Sequence, residues 1–301
     1  MISAPRRGFT LIECLVTVVV LGVLAGLMLA VVMRAREAAR RTQCASHLHN
    51  VGLALHQHQE ARGTFPSGAG SASFLWKILP FLEQEPLHKT LIDDRTAAIP
   101  LPGLYLCPSD SARTAPMSRF ATNYAGNAGV FGREPVAAWD GVFSNEELTP
   151  RDVGDGLSHT AAVVEWIVGG GDVSRATRLG SIYIVDDAFP DSAAGLDDFA
   201  KACDASGPGG PWPAAVPFKG SYWFRGRLGH SLYTHALPPD HPSCRAAPDL
   251  NAITAGSLHG DGCNVLLLDG AVRFVRDTVN PSVWRGLGTR GGGEAIPGTA
   301  Y

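Results

Sequence analysis

No basic excess marks this chain. Its 25 Lys and Arg stand against 28 Asp and Glu, a net charge of −3, which argues against a dedicated nucleic-acid binder, since such proteins carry a basic surface. No period accompanies the 35 Gly and 21 Pro, so a collagen-like rod is excluded. With 45% hydrophobic residues, wholesale disorder is excluded too. No G-x-S-x-G elbow, H-E-x-x-H helix or Walker loop occurs, so no familiar catalytic motif stands out. The 301 residues leave room for one or two domains with a sizeable core.

What is present is one long apolar run. From Phe9 to Met33, Glu13 is the sole charged residue. As a helix this stretch spans about 37 Å, enough to cross a bilayer. Apolar residues cover every face of it, which soluble helices rarely show. The run is longer than the apolar part of a secretory signal, and no small-x-small cleavage site follows it. Cys14 lies before the apolar stretch, behind Glu13, so it does not read as a lipoprotein cysteine.

The residues Arg6-Arg7-Gly8-Phe9-Thr10-Leu11-Ile12-Glu13 resemble the N-termini of type IV prepilins and type II secretion pseudopilins. The resemblance implies that prepilin peptidase cuts between Gly8 and Phe9 and that the new Phe9 amine is methylated. It also implies that Glu13 meets the Phe9 amine of a neighbouring pilin-like subunit. A carboxylate inside hydrocarbon is costly unless paired, so Glu13 reads as functional; snorkelling to the interface is the alternative. Arg34, Arg36, Arg40 and Arg41 follow the span and outnumber the two leader arginines. A positive-inside count would therefore place the C-terminus in the cytoplasm. The prepilin pattern places the head outside, and that reading is preferred here.

No proline interrupts the chain between Pro5 and Pro66, so the helix is expected to continue to about residue 61. Cys44, Leu48, Val51 and Leu55 recur at helical spacing and draw one apolar stripe for the head to cover. His47, His49, His56 and His58 read as a polar or filament-facing surface, because residues two apart point to opposing sides of a helix. Charge divides along the chain: +2 in the leader, −1 in the span, +3 over residues 34–62 and −7 in the head.

Residues 74–83 read as a short helix broken near Pro80, and 105–108, 161–166 and 181–185 as strands. Residues 187–250 are rich in Gly, Pro, Asp and Ser and read as a loop-dominated insertion. Two β-rich runs, 263–268 and 271–275, flank Asp269-Gly270, a strong hairpin signature because the turn needs positive φ. A short helix is predicted over 281–287.

These segments are similar to a large bacterial family of prepilin-like proteins of unknown function. Its C-terminal domain is named for His, nine residues, then Asp-Gly, here His259, Asp269 and Gly270. Further matching segments are 40–66, ILPFLEQ (78–84), LCPSD (106–110), NYAGNAGVFG (123–132) and DGLSHTAAVVEW (155–166). The resemblance implies architecture and export route, not a reaction.

Candidate sites remain. His259, Asp261 and Asp269, with Ser257 nearby, could bind a metal or share acid–base work; the preferred reading is that His259 and Asp269 order the hairpin. His230, His235, Asp240, His241 and Cys244 match no trusted zinc spacing, and Asp-Gly at 140, 155 and 261 matches no EF-hand. No cofactor is therefore expected, with calcium or zinc as the alternatives. Outside the span an odd five cysteines remain, so at least one stays free or pairs between chains. Cys44 and Cys107 are read as a pair, with two buried thiols as the alternative.

The expected architecture is α+β and pilin-like: leader 1–8, transmembrane and stalk helix 9–62, and a head 63–301 on an antiparallel sheet, with a C-terminal hairpin and helix over 256–288. The expected protein is a single-pass inner-membrane subunit with its head in the periplasm or on the cell surface. Its expected partners are prepilin peptidase and other pilin-like subunits of a type II secretion or type IV pilus-like system, without nucleic acid. The competing class is a membrane-tethered binding or enzymatic head that uses the same export route.

Overall fold

A computed structural model describes residues 10–93, 103–110, 120–130, 132, 139–170, 177–185, 189, 193–206, 215–216, 219–246, 250–294 and 296. The chain divides into two compact units, Met1–Thr42 and Gln43–Tyr301. Helix α1, Leu11–Arg62, runs through both. In the first unit its large apolar side chains from Leu11 to Met33 are exposed on all faces, and none of its most apolar 18-residue window is buried. A helix apolar all round finds a favourable solvent only in lipid.

In the second unit the same helix is one-sided. Cys44, Leu48, Val51 and Leu55 are buried, while His49 and Leu53 are exposed. Each fully buried aliphatic side chain of this stripe stabilises the docking by roughly 1.5–3 kcal/mol. The helix stops at Gly63, whose φ of +82° lets its N–H turn back to the Gln59 carbonyl at 2.7 Å, a left-handed terminus that glycine adopts at least cost. His58 corrects the surface reading: it is buried, its Nδ1 lies 3.0 Å from the Thr64 carbonyl, and its ring meets Phe81 edge-on.

Among the described residues the head has two sheets, and the α+β class holds. The larger contains β1 (Tyr124–Asn127), β2 (Ala161–Glu165), β5 (Leu232–Tyr233), β8 (Gly262–Leu267) and β9 (Val272–Arg276), in the order β5-β1-β2-β8-β9. The smaller contains β3 (Ile182–Val185), β4 (Ala215–Val216), β6 (Ser243–Ala246) and β7 (Leu250–Ala252), in the order β4-β3-β6-β7. Most neighbours pair antiparallel, as expected, but β1 pairs with β5, and β3 with β6, in parallel. A parallel neighbour needs a crossover, and between β3 and β6 it includes α4, Ala193–Asp204. The disulfide Cys203–Cys244 ties that helix to β6. Residues 187–250 thus hold a helix and strands as well as loops.

Both faces of the larger sheet are covered, so β2 and β8 are buried along their whole length. Leu266 and Leu268 enter the cluster with Leu48, Val51 and Leu55 of α1. Val265 and Leu267 enter another with Trp284 and Leu287 of α5, Pro281–Gly288. A Cβ on Gly52 would lie 2.9 Å from Leu266 Cδ1 and 3.6 Å from Gly270 Cα, so this position lets α1 approach the hairpin closely. Ahead of the sheet, α2 (Phe74–Lys77) passes into a 3₁₀ turn at Leu79–Leu82 containing Pro80, and α3 (Glu85–Asp93) follows. The strand expected at 105–108 is instead a 3₁₀ turn, Gly103–Tyr105, followed by a turn closed by Asp110 N–H on the Cys107 carbonyl at 3.1 Å.

Candidate functional site

Two sites emerge, one at each end of the chemistry read from the sequence. At the start of α1, Thr10 caps the helix and Glu13 completes a capping box. The Thr10 N–H and Oγ1–H donate to Glu13 Oε2 at 2.9 and 2.8 Å. The Glu13 N–H also donates to Thr10 Oγ1 at 3.4 Å, so two orphan N–H groups are satisfied within one chain, and the carboxylate stands at the helix N-terminus, where negative charge is favoured. Gly8 and Phe9 lie outside the described residues.

The second site is a buried polar node assembled from five separated segments. Glu165, at the end of β2 and 1% exposed, accepts from the Asn264 backbone N–H at 2.9 Å and from Asn264 Nδ2 at 3.0 Å. His259 presents Nε2 at 3.8 Å from Glu165 Oε1 and 3.4 Å from Cys107 Sγ. Cys107 is joined to Cys44 of α1. The Cys107 N–H donates to Asn123 Oδ1 at 3.0 Å. Asn123 Nδ2 in turn donates to Asp110 at 2.6 Å, and Asp110 also accepts from the Val168 N–H at 2.9 Å. The resembling segments 106–110, 123–132 and 155–166, and the segment that begins at Ser257, therefore each contribute a residue to this node.

The loop carrying His259 is locked from within. Gly260, Asp261 and Gly262 have φ of +81°, +57° and +143°, which turns the chain sharply before β8. Ser257 Oγ accepts from the His259 N–H at 3.1 Å and donates to the Gly262 carbonyl at 2.7 Å. Asp240 accepts from the Ser257 N–H at 2.9 Å, and burial raises its carboxyl to about 6. Burial in the same region raises the free Cys263 thiol well above its usual range, an effect strengthened by Glu165. It also lowers the Lys219 ammonium to about 7. Lys219 Nζ donates to the Leu179 carbonyl at 2.9 Å and lies 5.7 Å from the Trp166 ring centroid.

The structure separates other candidates. Asp269 and Gly270 sit at the far end of β8 from His259, in the hairpin turn. Gly270 has φ +91°, Asp269 does not have positive φ, and Asp269 Oδ1 accepts from the Ala271 N–H at 2.9 Å. The turn is thus a longer loop with glycine alone in the left-handed region, rather than the two-residue form in which both residues need positive φ. The paper zinc set is dispersed: Cys244 is in its disulfide, His241 Nδ1 is 2.9 Å from Asp204, and His235 lies between Tyr233 and the Trp284 carbonyl. Asp155 accepts from the Gly292 and Gly293 N–H groups at 2.9 and 2.8 Å, the work of a loop anchor.

Sequence reasoning did not single out Glu165, Asn264, Asn123, Asp110 or Lys219. Glu165 carried a readable signal: it is the lone charge at the end of an apolar strand, as Glu13 is in the apolar helix.

An apolar, capped N-terminal helix carrying an α+β head, with the prokaryotic N-terminal methylation motif over residues 4–29, defines an exported pilin-like subunit anchored to a membrane. The chain belongs to the family described as "Protein of unknown function (DUF1559)", which matches residues 33–282. Comparison with curated proteins and with solved structures finds no match.

Proposed function

We propose that this chain is a structural subunit of a type II secretion or type IV pilus-like assembly. Prepilin peptidase removes residues 1–8, and residues 9–62 form the inner-membrane span and stalk. Residues 63–301 form a head in the periplasm or on the cell surface. The observation that carries the reading is the methylation motif laid over a helix whose apolar window is wholly unburied. Such a surface needs lipid or neighbouring apolar helices to cover it. Gly22 and Gly26, with nothing within 4 Å of an added Cβ, supply a small-residue face on which helices can approach closely. Glu13 is the assembly contact: its carboxylate is already at the first turn, where the Phe9 amine of a neighbour can replace the Thr10 hydrogen bonds.

The test is expression with and without prepilin peptidase, followed by membrane fractionation and N-terminal sequencing. The expected mature chain begins at Phe9 only when the peptidase is present. A terminus near residue 33, or an intact Met1 in both strains, refutes the proposal.

A further inference from the structure

We propose that Cys44, Cys107, Glu165 and His259 form a redox-gated site for a transition-metal dication of the zinc class. The site is closed as a disulfide in the oxidised chain and open as a Cys₂-Glu-His site in the reduced one. Sγ of each cysteine, a Glu165 oxygen and a His259 ring nitrogen all lie within 4.8 Å of one another. A tetrahedron with metal–ligand bonds of 2.0–2.3 Å has ligand–ligand edges of about 3.3–3.8 Å. The Cys107 Sγ to His259 Nε2 separation of 3.4 Å and the His259 Nε2 to Glu165 Oε1 separation of 3.8 Å are already such edges. Once the S–S bond is broken, the two sulfurs need only part to the same spacing.

Charge favours a dication in the reduced state. The disulfide is neutral, so among the four candidate ligands only Glu165 brings a charge in the oxidised chain. Two thiolates beside Glu165 would put three negative charges into a region where Cys44 and Glu165 are 0% and 1% exposed. Isolated charges at such depth are strongly disfavoured. A dication returns the net charge to that of the oxidised node with neutral His259. Two thiolates and an imidazole select a zinc-like ion over calcium or magnesium, which prefer oxygen ligands.

The supporting shell is in place. Asn264 holds both Glu165 oxygens, Ser257 fixes the His259 backbone, and Asn123 fixes that of Cys107. Such outer contacts orient ligands and govern affinity. His259 sits between exposed Leu258 and Gly260, so its loop offers the ion a short path from solvent. The inference concerns the unit Gln43–Tyr301 and does not depend on the N-terminal reading.

The opening step is a two-electron reduction. With an external dithiol, the Cys44–Cys107 bond breaks, two thiols form, and the dithiol leaves as its disulfide. With a phosphine, phosphorus becomes the phosphine oxide, taking its oxygen from water, and the two protons of that water end on the sulfurs. Metal binding then releases both thiol protons to solvent.

The test uses the full chain in detergent micelles, oxidised or phosphine-reduced, dialysed against zinc and analysed for bound metal. A Cys44→Ser/Cys107→Ser chain under the same reduction gives the background from Cys14, Cys203, Cys244 and Cys263. The reduced wild type is expected to hold one zinc per chain above that background, and the oxidised chain none. Affinity is expected to fall on the order of tenfold or more in His259→Ala and Glu165→Gln. Cobalt substitution should show thiolate charge-transfer absorption with tetrahedral ligand-field bands. Zinc should also raise the melting temperature of the reduced wild type and leave the oxidised one unchanged, a readout that needs no variant. No zinc above the double-serine background, undiminished affinity in both single variants, or no thermal response of the reduced chain overturns the proposal.

Discussion

Lys219 gives the sharpest quantitative test of how the head is built. Its side chain is buried at 1% exposure, donates to the Leu179 carbonyl, and faces Asp240, Cys263 and Asp110. Burial lowers its ammonium from 10.5 to about 7. In the folded state Lys219 therefore loses its proton near pH 7, while the unfolded chain keeps it to about 10.5. Between those values the unfolded state binds more protons, so stability rises with pH. From about pH 6 to about pH 9 the two titrations together contribute roughly 2–3 kcal/mol of added stability. For a head of this size that corresponds to a rise of roughly 5–10 °C in melting temperature. Other groups also titrate in this window, Asp240 among them, so the informative quantity is the difference between wild type and Lys219→Met. Thermal melts followed by circular dichroism at the two pH values should show Lys219→Met gaining on the wild type at the lower pH. That advantage should shrink by about the amount above at the higher pH. A difference between the two chains that does not change with pH would refute the buried-ammonium reasoning.

At the processing site, Gly8→Asp should leave residues 1–8 attached, seen as an unshifted mass in peptidase-positive cells; normal trimming would remove Gly8 from the recognition pattern. Glu13→Val should insert into the membrane but lose cross-linking between neighbouring heads, and wild-type yield would show that Glu13 is no assembly contact. Gly270→Val should cost at least about 1 kcal/mol, because a β-branched residue is strained at φ +91°; an unchanged melting temperature would contradict the turn. Trp284→Ala, which empties a fully buried position beside His235, should cost roughly 3–5 kcal/mol by denaturant titration, and a loss under about 1 kcal/mol would mean that α5 is not part of the core.

The sequence was most legible where one short-range rule decides the outcome. The Cys44–Leu55 stripe follows from helical period alone, and the hairpin over 262–276 from two β-rich runs around Asp269-Gly270. The turn's form was not readable, because choosing between loop lengths depends on the register of β8 against β9, in which Leu266 faces Val272. Strands β5 and β7 have two and three residues, too few for an alternation to show. Helix α4 carries Gly195, Asp197 and Asp198 within twelve residues, so its propensity signal is weak and its position depends on packing and the bridge to Cys244. The buried node was the least legible part. Its members come from positions 44, 107, 123, 165 and 259, and only the fold makes them neighbours.

The position of the Cys44–Cys107 bridge connects that node to the proposed role as a subunit in an assembly. Cys44 is the second residue of the head unit, ahead of the packing residues Leu48, Val51 and Leu55 on the same helix. In the proposed assembly, tension along α1 would reach the unit Gln43–Tyr301 there first. Held by packing alone, the stripe could yield one side chain at a time, and each step would oppose the load with only a few kcal/mol. The covalent link instead passes the load to Cys107, and from there through Asn123 to the Asp110 and Trp166 segments beside β1 and β2. It also closes 63 residues of sequence, which restricts the unfolded chain by about 4 kcal/mol in the loop-entropy treatment. Reduction would remove both effects at once, leaving the stripe to hold the helix unless another bond replaced the disulfide. A metal bridging the same two sulfurs to Glu165 on β2 and to His259 would restore a link between helix and sheet. The node can therefore fasten the helix in either redox state, by a sulfur–sulfur bond when oxidised and by a shared ion when reduced.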